Sequence, residues 1–305
     1  MKNRADVRTG QTIHPETRLG AVELAVMDVN RQVSFHKEVL GMTLHWQQDH
    51  RAGMGAGGED ILRFVERKDA VQVRRTTGLY HTAILLPSKR DLAQLLMRIH
   101  EKRSPLQGMS DHGTHLAIYL PDAEGNGIEL AWDRPKAQWP DLAAIMKEGD
   151  PAGMRRLTAP LDIAELLSEA QNRRSAWEGM SAGTKVGHVH LHVSDLKATR
   201  HFYHGLLGFD ITLDSDPFGM VFFSAGGYHH HLGANIWNGA GAPPPPANSA
   251  GLRSFTIVLP EIAHLEALVS RVREAGQEIE RNEDGYLLRD PSGNGIRLIA
   301  TLVNP

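Results

Sequence analysis

The segment RLGAVELAVMDVNRQVSFHKEVLGM, starting at Arg18, and the segment KVGHVHLHVSDLKATRHFYHGLLGF, starting at Lys185, are one pattern written twice. Each reads as a short alternating strand, an Asp, an amphipathic helix and a closing Leu-Gly, and such self-similarity marks a duplicated unit. A second pair follows. HTAILLPSKRDLAQLLMRIHEK from His81 resembles SFTIVLPEIAHLEALVSRVREAG from Ser254, each a strand, Leu-Pro and a helix. These close in matching strands, DAEGNGIELAW from Asp122 and DPSGNGIRLIA from Asp290. Gly-Asn-Gly is a tight-turn signal, because glycine accepts positive φ without a Cβ clash, and not a phosphate loop. The chain therefore predicts an α+β fold of four modules, each a strand, a helix and about three more strands.

At a scale of roughly 150 residues per domain, 305 residues accommodate two cores. The expected organisation is a tail at 1–16, a first domain at 17–135 holding modules 1 and 2, a connector at 136–183, and a second domain at 184–305 holding modules 3 and 4. WPDLAAIMKEG and LDIAELLSEAQNRR read as connector helices, and PPPPANS from Pro243 as a surface loop that cannot donate to a ladder. Lys and Arg total 33 against 36 for Asp and Glu, so no field favours nucleic acid or an acidic membrane. No stretch approaches the roughly 18 apolar residues of a membrane span, and the N-terminus lacks an apolar leader core, so the expectation is a cytoplasmic protein. The absence of cysteine removes disulfides, thiolate nucleophiles and sulfur-ligated metals. Any metal must be held by nitrogen and oxygen. With 17 histidines in the chain, imidazole is the ligand and the acid/base to look for.

The doubled pattern GxxLxVxDLxxxxxFYxxxLGF, together with GNGIEL, resembles the vicinal oxygen chelate superfamily, which includes glyoxalase I, fosfomycin-resistance enzymes and type I extradiol dioxygenases. The resemblance runs from about Arg18 to Leu302, apart from the connector. Within the superfamily, GLYHTAILLP, IYLPDAEGNGIELAWDRP and GYHHHLGANIW are most similar to bacterial catechol 2,3-dioxygenases. It implies four βαβββ modules forming two pseudo-barrel halves. It also implies ligands at the start of the first strand and the middle of the last strand of a module. Read residue by residue, these are Ala21 in module 1, His81 and Glu129 in module 2, His188 in module 3, and Ser254 and Arg297 in module 4.

Only modules 2 and 3 carry ligands there, and two histidines with one carboxylate are the facial triad of non-haem Fe(II), with Mn(II) as an alternative. Extradiol enzymes place these ligands in modules 3 and 4, so sharing one ion here requires crosswise pairing, 2 with 3 and 1 with 4. The ligand nitrogens should then lie about 3 Å apart. The resemblance further implies that Tyr119, ten residues before Glu129, and His112, the nearest upstream histidine, hydrogen-bond the substrate oxygens. Of the family's paired histidines, which look like His229 and His230, the second is the acid/base.

Strand alternation puts His188, His190 and His192 on one face. It puts Tyr228, His230 and Leu232 on one side and His229 and His231 on the other. His192, Asn235 and Trp237 are candidate pocket residues, and Glu23 stands at the parity of His190. His14, His36, His45, His50, His100, His201, His204 and His264 read as surface residues of helices or loops.

The implied activity is Fe(II)-dependent extradiol cleavage of catechol or a substituted catechol by O2 to a muconic semialdehyde. One carboxylate and two neutral imidazoles leave a divalent site at net +1, which attracts a catecholate. The competing readings are a glyoxalase-like metal-dependent isomerase or transferase, which wants a second carboxylate ligand, and a metal-free binding protein, which does not need His81, His188 and Glu129 together. The partners implied are a small aromatic molecule and O2, with no nucleic acid and no membrane; a homo-oligomer is left open.

Overall fold

The computed structural model describes residues 11–142, 144–145, 157–171, 177–282 and 284–301. Most of the expected tail, much of the first connector helix and the end of the second lie outside the described residues. Module 1 folds as β1 (Arg18–Val26), α1 (Val29–Glu38), β2 (Thr43–Gln48), β3 (Arg51–Gly55) and β4 (Asp60–Glu66). Module 2 is β5 (Gly78–Leu85), α2 (Lys89–Glu101), β6 (Gly108–Asp111), β7 (His115–Pro121) and β8 (Gly127–Asp133). The connector supplies β9 (Ala159–Pro160) and α3 (Ile163–Gln171). Module 3 is β10 (Lys185–His192), α4 (Leu196–Arg200), β11 (Asp210–Ser215), β12 (Met220–Ser224) and β13 (Leu232–Asn235). Module 4 is β14 (Gly251–Leu259), α5 (Ile262–Glu274), β15 (Ile279–Asn282), β16 (Gly285–Arg289) and β17 (Gly295–Ala300).

The repeated polar residue between strand and helix is a helix cap. Asp28, Ser88 and Asp195 each accept a hydrogen bond from the backbone N–H three residues on, satisfying a donor that the first turn leaves orphaned. In α2 the buried set Leu92, Leu95, Leu96 and Ile99 follows the helical period and turns toward the sheet. The helix of module 3 widens after Arg200, where the Leu207 N–H reaches back five residues to the Phe202 carbonyl at 2.9 Å.

Two sheets result, ordered β15-β16-β17-β14-β1-β4-β3-β2 and β11-β12-β13-β10-β5-β8-β7-β6-β9. In every module the first strand runs parallel to the last, and the modules join through antiparallel first strands, β1 with β14 and β5 with β10. Module 2 therefore shares a sheet with module 3, and module 1 with module 4, which is the crosswise arrangement the ligand positions required. A core that includes Phe64, Tyr203, Phe209, Phe223 and Phe255 fills the interior. A smaller cluster sets the connector residues Leu142, Ile145 and Leu157 against Leu213, Met220 and Phe222 of the β11–β12 hairpin. Among the described residues no helix is long and apolar enough to cross a membrane.

Several readings need correction: His45 lies in strand β2 rather than in a helix or loop, with its Nδ1 2.9 Å from Asp60 Oδ1. His36 is wholly buried rather than on the surface; its Nδ1 bonds the Gln32 carbonyl at 2.9 Å and its ring lies against Phe64. The two glycines of Gly-Asn-Gly also do different work. Gly125 and Gly293 take the positive φ, 87° and 85°. Gly127 and Gly295 are needed for close approach, since a Cβ there would sit 2.1 Å from the carbonyl oxygen of Tyr80 or Arg253. Gly127→Ala should therefore destabilise the protein by about 3 kcal/mol, the upper end of overpacking costs, and Gly295→Ala by a similar amount. Urea unfolding measures both, and unchanged midpoints would contradict the close packing of β8 on β5 and of β17 on β14.

Candidate metal centre

Three neighbouring strands build the site. Ala83 of β5 is in register with His188 of β10 on one side and with Glu129 of β8 on the other. Side chains directly opposite across a ladder stand on the same face, so the small Ala83 leaves a gap into which the two longer side chains lean from either side. His81 lies two residues along β5, on the same face. Its Nε2 is 2.9 Å from Glu129 Oε2, and His188 Nε2 is 3.1 Å from the same oxygen. One ligand atom from each residue lies within 4.8 Å of the other two. His81, Glu129 and His188 are 5%, 1% and 2% exposed, so the cluster is sealed from bulk water except through the cavity above it.

The donor set fits a divalent cation. His81 Nε2 is buried beside the carboxylate yet forms no hydrogen bond with it, so its lone pair points into the gap unpaired. Burial opposes ionisation of Glu129, but His188 and His81 beside it, with hydrogen bonds from His115 and His188, outweigh that and hold its carboxyl well below the usual range. Burial holds His188 below the ordinary imidazole value. An ionised carboxylate with neutral imidazole is the protonation state that coordinates a metal.

A second layer surrounds these three. His112 Nε2 meets the Tyr119 hydroxyl at 2.7 Å, while His112 Nδ1 faces the Leu157 carbonyl, which can only accept. The proton of neutral His112 is thereby fixed on Nδ1, and Tyr119 donates to Nε2. Burial and Glu129 raise the Tyr119 hydroxyl well above its ordinary value, so it stays protonated. The ring of His230 packs on that of His188 with centroids 4.1 Å apart.

The structure also places here residues to which the sequence reading gave no role. His115 Nε2 bonds Glu129 Oε1 at 3.0 Å, and its ring stacks on His229, 4.9 Å away and tilted 11°. His229 Nε2 bonds Asp133 Oδ1 at 2.9 Å, and the Tyr228 hydroxyl donates to Asp133 Oδ2 at 2.8 Å. The signal was strand parity: Tyr119 pairs with Glu129 and His115 with Asp133 along one face of β7 and β8. The expected alternation through Tyr228–Leu232 fails, because β13 begins only at Leu232 and the preceding residues form a bend. His229 and His230 consequently both line the cavity, while His231 turns its Nδ1 toward Ser224 and the Ala225 N–H.

The cavity holds about 420 Å³, within the range of small-molecule sites. His190, unselected by motif, lines it with an unpartnered Nε2, and Tyr80 and the half-exposed Trp237 meet edge to face at its rim. His192 and Asn235 are hydrogen-bonded to each other at 2.8 Å and stand outside the lining. In the other sheet the equivalent positions are engaged differently: Arg297 faces Asp284 at 3.7 Å, Glu23 pairs with Arg51 at 3.1 Å, and the Ala21 carbonyl accepts from Thr256.

With this architecture and site, the chain belongs to the Glyoxalase/Bleomycin resistance protein/Dioxygenase superfamily, whose family model matches residues 18–130 and 185–298. It is 39% identical over 283 residues to the catechol-2,3-dioxygenase of Bacillus subtilis (strain 168), spanning 92% of this chain and 96% of that protein. Among solved structures, a candidate dioxygenase from Bacillus subtilis subsp. subtilis str. 168 superposes with a TM-score of 0.64 at 11% identity, over 96% of this chain and 87% of the other. Glyoxalase I from Zea mays gives 0.58 at 18% identity, over 93% and 92%. These two share the fold.

Two outcomes follow from the geometry. His115→Leu frees Glu129 Oε1 and should weaken divalent-ion binding by about 10- to 100-fold, read by anaerobic titration; an unchanged affinity would show that His115 does not hold the carboxylate. Burial also pushes His112 and His229 down to about 4 and His231 to about 3. Their unfolded values lie near 6.5, so below that pH the unfolded chain binds more protons than the folded one and stability falls on acidification. The urea midpoint of metal-free protein should drop steadily from pH 7 to pH 4, and a flat profile would contradict neutral buried imidazoles.

Proposed function

We propose that the protein is an extradiol dioxygenase that opens the ring of catechol or a substituted catechol with O2, using Fe(II), with Mn(II) as the alternative ion. Supporting this reading above all is the meeting of His81, His188 and Glu129 in one cavity with the Tyr119–His112 pair and His230, in a chain so similar to a catechol-2,3-dioxygenase. Both oxygen atoms enter the product, a muconic semialdehyde, so the balance requires no external reductant. When bound, the ion would supply Lewis acidity and a redox path between the diol and O2.

The protein's own groups do the rest. The cavity wall of Leu213, Met220 and Phe222 receives the ring and excludes water. Tyr119 donates its hydrogen bond to His112 Nε2, which leaves its oxygen lone pairs free to accept a hydrogen bond from a substrate hydroxyl. A proton leaving that hydroxyl then passes to the Tyr119 oxygen as the Tyr119 proton moves to His112 Nε2. His230, on the opposite side of His188 and buried, is the second acid/base, handling the proton exchanged as the ring opens.

A glyoxalase-like isomerase would want a second carboxylate among the ligands, and the carboxylate of the adjoining cluster, Asp133, is already bonded to His229 and Tyr228. Protein purified without oxygen and loaded with Fe(II) should turn catechol yellow on admitting air. Glu129→Ala should abolish that activity together with iron binding. His230→Gln should keep the iron and lower kcat by about 10²- to 10⁴-fold. No coloured product from iron-loaded protein across a panel of catechols would reject the function.

A further inference from the structure

The second cluster of potential ligand residues, His115, Asp133 and His229, is within reach of a cation by distance alone. Its hydrogen bonds argue for another role. The Asp133 carboxylate can only accept, so the 2.9 Å contact requires a proton on His229 Nε2. A neutral His229 then has its lone pair on Nδ1, and that atom faces His230 Nδ1 at 2.7 Å. Two lone pairs cannot meet at that distance, so the proton between the rings belongs to His230 Nδ1. His230 is left with its Nε2 lone pair unshared, in a ring that lines the cavity. His115 has no free nitrogen to offer an ion either, because Nε2 bonds Glu129 and Nδ1 bonds the Thr114 hydroxyl at 2.8 Å.

We infer that Asp133 and His229 are positioning residues that fix the tautomer and ring orientation of His230, and that the cluster is a relay rather than a second cation site. The inference rests on the proposed role of His230, and it gives Asp133 and His229 a role that neither the motif nor the fold assigns. The logic is that of any base oriented by a third group, here with an imidazole interposed between carboxylate and base. Tyr228 holds the other carboxylate oxygen, and the stacked ring of His115 keeps His229 in plane, so the carboxylate has one orientation.

Nitrogen-15 NMR of the full-length protein, loaded with Zn(II) as a diamagnetic ion, reads the tautomers whatever the activity. The expected result is His229 protonated on Nε2 and His230 on Nδ1 in the wild type, and loss of that pattern in Asp133→Asn, whose amide can donate. A wild-type His230 protonated on Nε2 would overturn the relay. With Fe(II)-loaded protein, Asp133→Asn and His229→Gln should lower kcat by about 10²-fold or more while KM and iron content stay within threefold. Adding Asp133→Asn to His230→Gln should cost nothing further, because the carboxylate acts through that ring. Single variants that retain wild-type kcat, or a double variant whose losses multiply, would contradict it. So would two ions bound per wild-type chain, one of them lost in Asp133→Asn. If the wild type cleaves no catechol, the proposed function fails, and the NMR result still decides the relay.

Discussion

The antiparallel seam between β5 and β10 is the constraint on which the site depends. It joins modules that are neither halves of one repeat pair nor closed on themselves, and it sets His188, Ala83 and Glu129 in one row across three strands. Had module 2 paired with module 1, Glu129 and His81 would lie in a different sheet from His188. A one-residue slip in that seam would turn the His188 side chain to the opposite face. The β5–β8 pairing depends on Gly127, whose missing side chain lets β8 pass beside the Tyr80 carbonyl. Packing at one glycine thus bears on the placement of a carboxylate two residues along the same strand.

Burying that carboxylate is expensive, since an ionised group loses its hydration and must recover it from partners. Glu129 recovers it from three imidazoles, of which His115 and His188 form hydrogen bonds and His81 does not. The site is therefore built to hold one charge in a fixed place with a gap beside it, and that arrangement is sensible when a cation completes it. The other sheet shows the same frame without this chemistry. There the equivalent positions carry Ala21, Ser254 and Arg297, and charges such as Glu23 and Arg51 pair with each other. One fold thus supports a potential reaction centre in one cup and a structural core in the other, which is why function must be argued from the site and not from the fold.

Much of this was readable from sequence because repeats carry register. The repeats aligned the modules, and the ligand positions implied by the family resemblance then fell on His81, Glu129 and His188; with the ligands in modules 2 and 3, only crosswise pairing could bring them together. Tyr119 followed from the same resemblance, which places a tyrosine ten residues before the ligand carboxylate. What could not be read depends on local geometry that no period describes. His229 joins His230 in the cavity because a bend precedes β13, where alternation no longer applies. Asp133 and His115 become partners of the site only through the β7–β8 register and a stack against a residue from another module. His36 resembles any polar residue on a short helix, yet its Nδ1 is satisfied by the Gln32 carbonyl and the ring is buried against Phe64, with Nε2 left unpartnered.

The central claim is that side chains from modules 2 and 3 hold one ion between them. Anomalous diffraction at the iron edge, from crystals grown with Fe(II) in the absence of oxygen, tests it most directly. The account predicts one peak, about 2.0–2.2 Å from His81 Nε2, His188 Nε2 and a Glu129 carboxylate oxygen. A peak among His115, Asp133 and His229 instead, or no bound iron in the cavity, would contradict it.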